Sequence, residues 1–114
     1  MKTIIAGSRD IVDYMLVCDA IQQSGFEITE VISGAARGVD RAGEIWAKEN
    51  HVPLKQFFAQ WEERGKSAGY IRNAEMVDYA EALIAVTNGS KGTAHTIDLA
   101  NKKGIKVFVL NVDK

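Results

Sequence analysis

Short apolar segments rich in β-branched residues alternate along this chain with longer amphipathic ones. Lys2–Ala6 reads as a strand. Ile11–Gln23 reads as an amphipathic helix, with Asp10 as its cap and Gly25 just past its end. Glu30–Ser33 is a second strand. Val39–Glu49 is a second helix, placing Val39, Ala42, Gly43 and Trp46 on one face. Leu54–Phe58, introduced by the sole proline, is a third strand. Tyr70–Tyr79 is a short third helix, Ala82–Val86 a fourth strand, Thr93–Lys103 a fourth helix stopped by Gly104, and Lys106–Leu110 the last strand. Helices between successive strands require parallel pairing through right-handed crossovers. ALIAV and VFVL are apolar throughout, as strands covered on both faces are. The expected architecture is an α/β, doubly wound, five-stranded parallel sheet with helices on both faces. No internal repeat or linker interrupts the pattern, so residues 1–114 are expected to form a single Rossmann-like domain.

In such a sheet every strand-to-helix loop lies at one edge, and ligands bind there. Three of those loops carry glycine together with a cation: AGSRD (Gly7, Ser8, Arg9), SGAARGVD (Gly34, Arg37, Gly38, Asp40) and TNGSKGTAH (Gly89, Ser90, Lys91, Gly92, Thr93, His95). Glycine lets a ligand approach the backbone amides. Each loop also feeds a helix N-terminus, where unpaired N–H groups and the helix dipole favour an anion. One such loop alone would read as a simple turn. Three at one edge, each with a full positive charge, read as a phosphate cradle. They also bear on strand order. Order 3-2-1-4-5 opens the crevice between strands one and four, both followed by glycine, whereas 2-1-3-4-5 would place it beside the glycine-free AQWEER.

The stretch Ala59–Gly69 is about eleven residues long, beyond the roughly 2–6 usual for such connections. It reads either as a lid, with Trp61 available for stacking on a base, or as a solvated loop with Trp61 tucked onto the core.

Composition narrows the classes. At 46% hydrophobic and 25% charged residues, the chain is expected to be globular rather than disordered. A net charge of −1 argues against a surface built to wrap nucleic acid, although a local cationic pocket is compatible with it. Cys18, spaced with Ile11 and Met15, is expected to pack as a small core residue, and one cysteine excludes a disulfide within the chain. No apolar run approaches the ~18 residues of a membrane span, and MKTIIAGSRD turns polar too soon for a secretory signal; a cytoplasmic setting follows. No metal or other cofactor is expected: His51 and His95 are far apart, with no ligand cluster near either.

The GSR of the first loop, SGxARGxD, GKSAGYIRN and GSKGTAH together resemble the SLOG superfamily, and within it the short YspA-like branch. SGAARGVD is also similar to the matching loop of the DprA Rossmann-like domain. The resemblance spans nearly the whole chain. It implies a Rossmann-like fold with strand order 3-2-1-4-5 and a nucleotide or nucleotide-derived ligand. It also implies a homodimer or larger assembly, which the small size of the domain favours as well. Gly7, Ser8 and Arg9 match the first motif; Gly34, Arg37, Gly38 and Asp40 the second; Arg72 and Asn73 the position whose arginine is catalytic in the LOG phosphoribohydrolases; and Gly89, Gly92 and Thr93 the last. Those hydrolases carry a glutamate three residues after the threonine, where this chain has Thr96.

Breaking an N-glycosidic bond builds positive charge on the ribose, which a nearby carboxylate stabilises. Thr96 cannot supply it, and Asp98, two residues further, lies about 200° around the helix and is expected to face elsewhere. Asp40 and Glu44 share a helix face and form either a displaced acid pair or, for Asp40, a cap on its loop. His95 reads as a ribose or phosphate partner or as a surface capping residue. The leading expectation is a binding protein, sensor or sequestering agent, for a phosphate-bearing nucleotide. A nucleotide N-glycosidase using Arg72 is the alternative. Single-stranded DNA binding is disfavoured for want of a basic groove, and a purely oligomerising scaffold would leave the three cationic loops unexplained.

Overall fold

The computed structural model describes residues 1–112. Five strands pair in parallel in the order β3-β2-β1-β4-β5: β1 Lys2–Gly7, β2 Glu30–Ser33, β3 Leu54–Gln56, β4 Ala82–Thr87 and β5 Lys106–Asn111. The order is the one that the placement of the glycine loops predicts.

Alternation along the central strands builds two cores. Ile5, Val31, Ile84 and Val86 face one side of the sheet and meet Val17, Ala20, Ile21, Val39, Ala42 and Ala47 of helices α1 (Tyr14–Ser24) and α2 (Val39–Glu49). Ile4, Ala6, Ile32, Leu83 and Ala85 face the other side, where the chain after β3 supplies Met76, Val77, Ala80 and Ala100. That side is built by a four-residue helix α3 (Trp61–Arg64), a 3₁₀ turn Gly65–Ser67, and helices α4 (Ala68–Tyr79) and α5 (Lys91–Lys103). β4 is buried at every residue, as its unbroken apolar run requires. β5 is only half-buried despite a similar sequence, because it is an edge strand. Helices α1 and α5 end where Gly25 and Gly104 enter the left-handed region. Lys103 Nζ donates to the Val77 and Asp78 carbonyls at 2.7 and 2.5 Å, satisfying oxygens at the end of α4.

Three expectations need correction. α1 begins at Tyr14, and its cap is Asp13, whose carboxylate accepts from Met15 N at 3.0 Å. Asp10 instead accepts from Asn88 Nδ2 at 2.9 Å, tying the loop after β1 to the loop after β4. Because Ile11 lies outside the helix, the inward face is Val17, Ala20 and Ile21. Met15 is therefore 63% exposed and Cys18 only half-buried, rather than a core residue. Finally, Ala59–Gly69 is not an open loop: it holds α3 and the 3₁₀ turn, and α4 starts two residues before Tyr70. Among the described residues, no helix is long and apolar enough to cross a membrane.

Candidate functional site

Gly7 pairs with Val86, so the loops leaving β1 and β4 start side by side. Ser8 locks them together. Its hydroxyl accepts from Asn88 N at 3.1 Å, donates to Ser90 Oγ at 3.1 Å and lies 3.4 Å from Thr87 Oγ1. Ser8 is 1% exposed, so it stands beneath the rim rather than on it. The loop after β2 closes against the same place. The Ser8 carbonyl accepts from Val39 N at 3.4 Å, and a Cβ on Gly38 would come within 2.5 Å of the Ser8 and Arg9 carbonyl oxygens.

Above this junction lies a cavity of about 700 Å³. Its walls bring together Gly7 and Arg9 from the first loop, Arg37 and Asp40 from the second, Arg72 and Asn73 from α4, and Gly89, Ser90, Gly92 and Thr93 from the third. No side chain caps the first turn of α5, because the Ser90 hydroxyl is turned to Thr93 Oγ1 at 2.8 Å. Its leading amides are thus left for another acceptor. Arg9 and Arg37 are exposed, and neither forms an ion pair among the described residues. Arg72 is half-buried. Its Nη1 donates to the Gly34 carbonyl at 2.5 Å and its Nε to Asn73 Oδ1 at 3.1 Å, so its planar head is held in one orientation.

Asp40 is the second residue of α2 and is 6% exposed. Its Oδ2 accepts from Ala36 N at 3.3 Å. Burial pushes its carboxyl up to about 6, against the opposing pull of the Ala36 amide and of Arg72. Burial also lowers Arg72 from its ordinary value, an effect that Asp40 opposes and Arg9 adds to. Asp40 and Arg72 crowd the same face of Gly34, where an added Cβ would lie 2.9 Å from Asp40 Oδ2 and 3.0 Å from Arg72 Nη1. Glu44 lies outside the cavity lining, its Oε2 accepting from Ser33 Oγ at 2.7 Å and Gln56 Nε2 at 3.0 Å, although its charge adds to the rise of Asp40.

Other residues singled out by sequence lie elsewhere. Lys91 is exposed at the start of α5, outside the lining. His95 is half-buried behind the wall, with Nδ1 3.3 Å from Asn73 Nδ2 and its ring edge-on to Tyr70 at 4.6 Å between centroids. Gly34 and Trp61 border an adjoining chamber. Thr96 does line the cavity, but its hydroxyl donates to the Gly92 carbonyl at 3.1 Å. Asp98 points away and pairs with Lys102 at 3.0 Å. Sequence reasoning missed Ala6, Asp10, Val12, Ala36, Met76 and Asn88 in the lining. Only Asp10 and Asn88 carried a signal, as polar residues flanking glycine loops.

Comparison with known proteins adds two findings. A family model described as the YspA, cpYpsA-related SLOG family matches residues 1–63. The Gene 61 protein of Mycobacterium phage D29 is 36% identical over 118 aligned residues, covering 94% of each chain.

Proposed function

The chain belongs to the YspA, cpYpsA-related SLOG family, and on that premise we propose that its cavity binds a phosphate-bearing nucleotide or nucleotide-derived signal, with the protein acting as sensor or sequestering agent. The observation that carries this reading is convergence. Three arginines from three separate segments, Arg9, Arg37 and Arg72, line the same cavity as the uncapped start of α5. Charge-assisted bonds from arginine to phosphate oxygens are roughly twice as strong as neutral ones, and the planar guanidinium suits bidentate contact. Native mass spectrometry of freshly purified protein, followed by titration with nucleoside monophosphates, is the direct test. Finding no nucleotide carried through purification and none bound on titration refutes the reading.

Arg9→Ala is expected to weaken binding by roughly 1.5–3 kcal/mol, about ten- to a hundredfold, as for loss of a charge-assisted bond. Arg9 donates to no protein group among the described residues, so the fold should be unaffected; a folded variant of unchanged affinity removes Arg9 from the ligand contacts.

One observation favours a second reading, a nucleotide N-glycosidase. Thr96 cannot supply a carboxylate, but Asp40 reaches the same cavity as Arg72 from α2. Release of free base from a nucleoside monophosphate, sustained over many turnovers and abolished by Arg72→Ala, would establish it. A cytoplasmic homodimer completes the proposal. Met15, at 63% exposure, is apolar surface that a second subunit would cover. Sedimentation velocity should show a dimer, and a single monomeric species at all concentrations counts against it.

A further inference from the structure

The cavity does not end at its arginines. Beyond them lies a second chamber of about 390 Å³. Arg9, Ala36, Arg37 and Arg72 border both spaces, so three cationic side chains stand where the two chambers meet. The chambers differ in chemistry. The larger one carries the carboxyl groups of Asp10 and Asp40 and the amides of Asn73 and Asn88, groups that accept from and donate to sugar hydroxyls and base edges. The smaller one has no carboxylate in its lining and presents Trp61 and Phe58. These rings are 51% and 60% exposed, and neither belongs to the two cores. Trp61 opens α3, and its indole lies close to Gly69 at the start of α4, where an added Cβ would stand 3.3 Å from Cη2. A side chain at residue 69 would push the ring; glycine leaves it seated there.

A free mononucleotide has its negative charge at one end. The positive charge here lies between two compartments, one of them polar and the other aromatic. A ligand that matches this order has its charge in the middle and a ring-bearing unit on either side. We propose that the smaller chamber is a stacking subsite for a second base, and that the ligand class is a phosphate-bridged dinucleotide with its phosphates on Arg9, Arg37 and Arg72 and one base on Trp61. This rests on the reading that the larger chamber takes a phosphate-bearing nucleotide. Stacking on an aromatic side chain gives roughly five- to a hundredfold in affinity and tolerates any base, so the subsite adds affinity without fixing base identity.

The test is calorimetric titration of the full chain with the four common nucleoside monophosphates, the matching diphosphates, and dinucleotides in which two nucleosides are joined through a diphosphate. Wild type, Trp61→Ala and Trp61→Phe are compared. The expected result is that a bridged dinucleotide binds at least tenfold tighter than the mono- and diphosphate of its base. Trp61→Ala removes that advantage and leaves the monophosphate affinity alone, while Trp61→Phe retains most of it. In a Trp46→Phe background, where Trp61 is the only indole, the dinucleotide quenches its fluorescence and the monophosphate does not. If monophosphates bind and dinucleotides bind no tighter, the second subsite is refuted and the nucleotide reading stands. If Trp61→Ala weakens a monophosphate as much as its dinucleotide, the base of a mononucleotide occupies the chamber and the proposal is overturned. If no nucleotide of any class binds, both readings fall.

Discussion

Gly7→Ala is expected to cost about 4 kcal/mol or more of stability, enough to leave most of the chain unfolded or insoluble at 37 °C. Gly7 ends β1 beside Val86. A Cβ there would sit 1.9 Å from the Val86 carbonyl oxygen and 2.7–2.8 Å from the Val39 side chain. The oxygen is backbone in the fully buried β4, so relief requires β1 and β4 to part at the floor of the cavity. Overpacking that side chains can absorb costs about 1–3 kcal/mol. Gly43 lies between the two: its added Cβ would stand 2.7 Å from Ile5 Cγ2 and 2.8 Å from Ile5 Cβ, so α2 must lift off β1, but no strand pairing is broken. Gly92, on the first turn of α5, has nothing within 4 Å of an added Cβ. Gly92→Ala should therefore gain roughly 0.5–1 kcal/mol from reduced chain entropy and helix preference. Urea denaturation of the three variants should rank them Gly7→Ala far below Gly43→Ala, with Gly92→Ala at or above wild type. A Gly7→Ala protein with near-native stability would mean that β1 and β4 part at this position at little cost.

The glycines also separate what the sequence disclosed from what it withheld. Glycine-rich loops at a strand end are legible as such, and their distribution sufficed to choose 3-2-1-4-5 over 2-1-3-4-5. It did not disclose which glycines the fold itself demands. A Cβ added at Gly7, Gly34 or Gly38 would come within 3.0 Å of protein atoms, whereas one at Gly89 or Gly92 would face open space. Only the last pair leave open space beside the backbone for something outside the chain, with the Gly89 amide itself already donating to Thr87 Oγ1 at 3.0 Å, and a motif cannot show this because both kinds are written with the same letter. α3 was invisible for another reason. Trp-Glu-Glu-Arg has no apolar period and is followed by Gly65, so local pattern and propensity both read as loop. The start of α1 was misplaced, with Asp10 read as the cap that Asp13 in fact supplies. Asp10 is taken instead by a long-range bond from Asn88 that no local window contains. Asp40 is the sharpest case. From sequence it reads as a cap on its loop or as half of an acid pair with Glu44. Here the loop after β2 and Arg72 cover it, and burial rather than the dipole controls its charge.

That burial carries the remaining large effect, which is a dependence on pH. The Asp40 carboxyl is raised from 3.8 to about 6 in the folded chain. The folded state therefore holds a proton that the unfolded state has already released. Stability from this group is fully present below about pH 4 and is lost as pH rises through about 6. The loss is complete near pH 7 and amounts to about 3 kcal/mol for a shift of this size. Asp40→Asn keeps an oxygen to accept from Ala36 N but has no charge to bury. It should be more stable than wild type by up to about 3 kcal/mol at pH 7.5, and the two curves should converge toward pH 4. Chemical denaturation of both proteins from pH 4 to 8 measures this directly; parallel curves would mean that Asp40 ionises normally. Binding should follow the same residue. With Asp40 ionised, its negative charge opposes the three arginines in the cavity wall, and in the Asp40→Asn variant that charge is gone. A phosphate ligand seated on those arginines should bind Asp40→Asn more tightly than wild type at pH 8 and equally well at pH 4.5. Comparing the two proteins in the same buffer cancels titration of the phosphate itself. A weaker ligand affinity for the asparagine variant at pH 8 would instead assign the ionised Asp40 carboxylate to a ligand hydroxyl. The charge would then be retained in the fold, at the expense of stability, to recognise ribose.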